Sequence, residues 1–82
     1  MTDYTITLTD IEVKSLEYSV NGILGWIENA AKNRARIAKN EIIALNTEYC
    51  NANNIAIDVG EEAQVIQAYA LGVVKTAKER NT

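Results

Sequence analysis

Residues Ile23 to Ala52 read ILGWIENAAKNRARIAKNEIIALNTEYCNA, with no proline and a single glycine, Gly25, close to the start. Nothing in this stretch interrupts a helix: every residue but Gly25 tolerates the helical backbone, and no ring removes an amide donor. Ile23, Ile27, Ala30, Ala31, Ala38, Ile42, Leu45, Tyr49 and Ala52 form one apolar stripe, with Trp26 and Ile37 along an edge. The spacing predicts one long helix of about 45 Å, at 1.5 Å per residue. A compact chain of this size has a radius of gyration of about 12 Å. The helix therefore either reaches past its own core or breaks near Asn33.

Upstream, Thr9-Asp10-Ile11-Glu12 has the spacing of a capping box, in which a hydroxyl and a carboxylate satisfy each other's backbone amides. It opens a helix expected over residues 10–20, with Val13, Leu16 and Val20 as its inner stripe, and Asn21-Gly22 ends it. Before it, Tyr4, Ile6 and Leu8 alternate with threonines, the pattern of a short strand. A lone strand needs a partner. The comparable segment is 54–58, where Ile55 and Ile57 alternate around Ala56, so the two pair with each other or each pairs with another chain.

Downstream, the polar stretch 51–54 stops the long helix. Asp58 with Glu61 three residues on suggests the cap of a third helix over 59–79. Glu61 and Glu62 fall in its first turn and Lys75, Lys78 and Arg80 toward its end, both suited to the helix dipole. Val65, Ile66, Tyr69, Ala70, Val73, Val74 and Ala77 give it a broad apolar face, widened by Ala68 and Leu71. The expected fold is mainly α: three helices (10–20, 23–52, 59–79) in one small domain, with a short N-terminal strand.

Composition limits the chemistry. The 82 residues include no histidine and one cysteine, Cys50. The commonest general base and commonest metal ligand are thus missing, and no intrachain disulfide can form. Cys50 reads as a small buried hydrophobe with no imidazole to activate it. No phosphate loop, dinucleotide fingerprint, nucleophile elbow or calcium loop occurs, and Asp58, Glu61 and Glu62 read as helix-start residues rather than metal ligands. The expectation is no enzyme, no catalytic residue, no metal and no cofactor. The apolar run 65–74 is too short to span a bilayer, and the N-terminus lacks the basic flank and apolar run of a signal peptide, so no membrane association is expected.

Eleven acids against eight bases give a net charge of −3, which argues against non-specific nucleic-acid binding. Lys32, Arg36 and Lys39 nevertheless share one helix face. The alternative function is a small nucleic-acid-binding regulator that lays this ridge on phosphates. The plainer reading is a solvated face with a Glu28–Lys32 pair one turn apart. With five aromatic residues in the chain, stacking platforms for single strands are not expected, and Trp26 and the tyrosines read as core or interface anchors.

Arg34 and Glu41 fall within the apolar stripe, where a charge is costly unless it is paired or reaches water. They lie symmetrically about the middle of the long helix, between Ile37 and Ala38. Two copies crossing antiparallel there would set Arg34 of each against Glu41 of the other, so Arg34, Ile37, Ala38 and Glu41 form the expected homodimer interface.

The stretch Trp26-Ile-Glu-Asn-Ala-Ala-Lys-Asn-Arg-Ala-Arg-Ile-Ala-Lys-Asn-Glu-Ile42, the stretch Val73-Val-Lys-Thr-Ala-Lys-Glu-Arg80 and the opening Thr5-Ile-Thr-Leu-Thr-Asp10 resemble a set of small proteins encoded by tailed bacteriophages and marine viral sequence. The set has no settled activity to carry over. The resemblance implies a setting: a phage product in the host bacterial cytoplasm or the virion, acting as a virion component or assembly factor. Its partners would be copies of itself, as a homodimer or higher oligomer, and other phage proteins.

Overall fold

The computed structural model describes residues 2–81, and the described chain is mainly helical. Among the described residues four helices follow in order: α1 Asp10–Ser19, α2 Ile23–Ala52, α3 Glu61–Ala70 and α4 Ala77–Arg80. Two compact units divide the chain, residues 1–33 and 34–82. The boundary falls within α2, which is helical at Asn33, so of the two alternatives the break does not occur.

The first unit is built on α1 and the start of α2. The Thr9 hydroxyl accepts from the Glu12 amide at 3.2 Å, and the Glu12 carboxylate accepts from the Thr9 amide at 2.9 Å, closing the expected box. α1 ends at Ser19, and Gly22 takes the positive φ of 91° that turns the chain into α2. Val13, Leu16, Val20, Ile23 and Ile27 are half-buried, but α1 contributes no fully buried residue. The expected N-terminal strand is not seen. No strand forms among the described residues, so Tyr4–Leu8 has no ladder, and Tyr4 and Ile6 are exposed.

The second unit packs the later part of α2 against α3. α2 closes with Asn54 in the left-handed region at φ 56° while the Ile55 amide donates to the Cys50 carbonyl at 2.9 Å. Ile55 and Ile57 turn inward and Ala56 outward, as their alternation suggested, but 54–58 is an irregular connection. The cap expected from Asp58 is not made. α3 begins after Gly60, at φ 96°, with no side-chain cap: Asp58 lies two residues before that N-cap position, and its amide donates to Gln67.

The third helix is half the expected length. α3 stops at Ala70, and Gly72 takes φ 74°. The Gly72 amide donates to Tyr69 at 3.1 Å and the Val73 amide to Ala68 at 2.9 Å, the bond pair of a Schellman turn. Thr76 and Glu79 then form a second capping box, which starts α4. Lys78 and Arg80 sit in the last turn of this short helix, and Lys75 precedes it. Residues 71–76 thus form a strap between two helices where one continuous helix was expected.

Candidate interaction surface

The inner face of α2 in the second unit lies about one residue round the helix from the expected stripe. Asn46 and Cys50 are fully buried and Ile43 is half-buried, whereas Leu45 and Tyr49 remain 49% and 40% exposed. An asparagine at the centre of a buried face must be hydrogen-bonded. The Asn46 side-chain amide donates to Gln67 Oε1 at 3.0 Å, and the Cys50 thiol approaches Asn46 Oδ1 at 3.8 Å. Gln67 Oε1 also accepts from the Asp58 amide at 3.1 Å, and Gln67 Nε2 donates to the Ala56 carbonyl at 2.9 Å. One side-chain amide thereby joins α2, α3 and the connection between them. With Ala68 buried alongside, every buried side-chain nitrogen or oxygen among the described residues has a partner. Sequence reasoning missed this cluster because polar side chains interrupt the hydrophobic period. The one available signal was Asn46 four residues before Cys50, one above the other on the same face.

The remaining stripe, Ala38, Ile42, Leu45 and Tyr49, is left beside this cluster rather than in it. Ala38 and Ile42 are half-buried, and together with Leu45, Arg34 and Glu41 they form one wall of an open groove of about 470 Å³. The opposite wall comes from Tyr69, the strap from Gly72 to Thr76, and Ala77 and Arg80 of α4. The groove exists because α3 ends early: Gly72 redirects the chain, and Val73 and Val74 become half-buried wall residues. Three cations, Arg34, Lys75 and Arg80, border it against one carboxylate, Glu41.

Of the expected interface residues, Arg34 and Glu41 are exposed, Ala38 is half-buried and Ile37 is 41% exposed. The structure brings Arg34, Ala38 and Glu41 onto the groove wall, with Ile37 just outside it. Within the chain neither Arg34 nor Glu41 forms an ion pair among the described residues.

The basic residues fare differently. Lys39 Nζ meets Glu61 Oε1 at 3.1 Å across α2 and α3, while Lys32 and Arg36 are exposed. The expected Glu28–Lys32 ion pair does not form among the described residues. The Lys39–Glu61 pair is solvent-washed, with 38% and 64% of the two side chains exposed, and such pairs contribute about 0–1 kcal/mol. It nevertheless neutralises one of the three charges of the ridge.

In the first unit, Trp26 borders a smaller hollow with Val20, Gly22, Gly25 and Asn29, and no ionisable side chain lines it. Trp26 is 48% exposed and Tyr18 94% exposed, so neither is a core residue. No group of three or more Cys, Asp or Glu side chains capable of holding a metal ion occurs among the described residues.

The two ionisable groups shifted from their usual range are both capping carboxylates. The Glu12 carboxyl lies below the ordinary value because the Thr9 backbone amide, and then its hydroxyl, donate to the charged form. Glu79 is lowered likewise by the Thr76 amide and hydroxyl, with a smaller contribution from Lys75. These shifts accompany helix capping, a structural role. No helix among the described residues is long and apolar enough to cross a membrane. No family model, curated protein or solved structure matches the chain.

Proposed function

We propose that this is a non-enzymatic structural or protein-interaction protein that works as a homo-oligomer, in a phage as virion component or assembly factor. The observation that carries the reading is the second apolar face of α2. Ile42 and Leu45 line the groove with Tyr69, and Tyr49, 40% exposed, follows one turn after Leu45, in a unit whose buried residues are Asn46, Cys50 and Ala68. Helices apolar on more than one face are normally covered on more than one face. Contiguous exposed apolar surface in a small chain marks a place where another protein sits.

The phage setting rests on the sequence resemblance alone. The absence of histidine removes the commonest general base, and three of the four ionisable side chains that border the groove are cations, which favours binding over catalysis. Sedimentation velocity tests the reading. A dimer or larger species is expected at tens of micromolar, about the range in which modest interfaces assemble. A monomer at every concentration reached would refute it.

A further inference from the structure

Resting on that reading, we infer that the groove of the second unit is a seat for α2 of a second copy, with Ile37 of each chain as the knob that fills the other's groove. Three observations support it. The first is charge. Arg34 and Glu41 lie on the same groove wall, are exposed, and have no ion-pair partner within the chain among the described residues. Arg34 stands three residues before Ile37, and Glu41 three after Ala38. A two-fold axis between Ile37 and Ala38 therefore sets each Arg34 against the partner's Glu41, giving two charge-assisted contacts from one self-complementary surface.

The second is shape. Ile37 is a large apolar side chain, 41% exposed, that does not line the groove. Its neighbour Ala38 does, and its small side chain leaves the floor open next to Ile42, Tyr69 and Val73. The same axis brings each Ile37 opposite the partner's Ala38, a knob over a hole, as antiparallel helices pack.

The third is the strap. An exposed stripe on one helix would guide a partner only along its length. Here Gly72 turns the chain so that Val73 and Val74 rise beside α2 and give the groove a second wall. The wall also carries Lys75, and with Arg80 it leaves the groove positive by two charges, three cations less one carboxylate. An acidic segment of another protein is the competing occupant.

Sedimentation velocity of the parent, Arg34→Glu, Glu41→Arg, the double swap and Ile37→Ser tests the arrangement. Each single charge reversal places like charges in contact and should weaken association by about tenfold. The double swap should recover most of that loss. Ile37 is exposed in the single chain, so Ile37→Ser should leave helical circular dichroism unchanged and weaken association by about tenfold. If a single reversal fails to fold, Ile37→Ser alone decides. A parent that associates but is indifferent to Ile37→Ser, or a double swap no better than either single change, overturns the α2 seat and leaves self-association standing. A monomeric parent overturns both.

Discussion

The later half of α2 has two faces turned from water, and they are finished differently. On one, Asn46 meets α3 beside the buried Cys50 and half-buried Ile43, and Gln67 ties both helices to the connection between them with three hydrogen bonds. On the other, Ala38, Ile42 and Leu45 border an open groove with two charged residues set among them. The more hydrophobic face is the one left open. Apolar residues establish that a face prefers to leave water, but any apolar neighbour satisfies them. A buried amide accepts few arrangements, since an unpaired donor or acceptor costs about 1–3 kcal/mol. The polar face therefore fixes which elements of this chain meet, and the apolar face stays open.

The largest expected effect breaks the polar face. Gln67→Leu keeps the volume but strips Asn46, Asp58 and Ala56 of their partner, leaving the Asn46 amide buried without one. Urea unfolding should show a loss of about 2–3 kcal/mol, a large fraction of the stability of so small a chain. Leu45→Ala on the open face should lower stability by less than about 1 kcal/mol, because half of that side chain is already in water. Equal losses from the two changes would remove the distinction between the faces.

The same contrast explains what was legible in the sequence. α2 could be read to its ends because no proline and one glycine leave a helix little reason to stop. The Thr9–Glu12 box could be read because it precedes a clear apolar period. Thr76 and Glu79 have the same spacing, and Leu71-Gly72 carries the same stop signal as Asn21-Gly22. Both were overridden by the run of apolar residues through Val74, which satisfies helical periodicity whether or not the helix continues. The inner face was placed about one residue off because Asn46 and Gln67 look like solvent positions until their partners are known. Arg34 and Glu41 could be singled out, since charges inside an apolar stripe are conspicuous. The groove beside them could not, because it depends on where α3 ends.

A smaller effect should come from the hinge of the strap. A Cβ at Gly72 would meet nothing within 4 Å, so Gly72→Ala tests backbone conformation alone. At φ 74° an L-residue pays about 1 kcal/mol, and unfolding should register that amount. The change acts on the wall of the open face and should leave the Asn46–Gln67 bonds in place. Amide exchange should quicken at Val73 and Val74 while Ile55, bonded to Cys50, keeps its protection. A stability unchanged within error would mean that the turn is not held at positive φ.

The smallest effect separates the faces by pH. The polar face is joined through Asn46 and Gln67, whose amides do not titrate, whereas α4, which lends Ala77 and Arg80 to the groove, begins with the Thr76–Glu79 box. Because Glu79 has its carboxyl pKa lowered in the folded chain, first by the Thr76 amide, the contribution of the box is fully present above the unfolded pKa. It is lost as pH falls through the folded one. Glu12 behaves the same way at α1. Carbon-detected titration of the two carboxyls between about pH 2 and 6 should place both below the ordinary glutamate value. Over that window the amides of residues 77–80 should lose protection before those of the α2–α3 contact. Thr76→Val, which removes the hydroxyl but keeps the backbone donor, should raise the Glu79 value only part of the way. Should Glu79 titrate at the ordinary glutamate value, or the α2–α3 amides open first, the two faces would not be held by different chemistry.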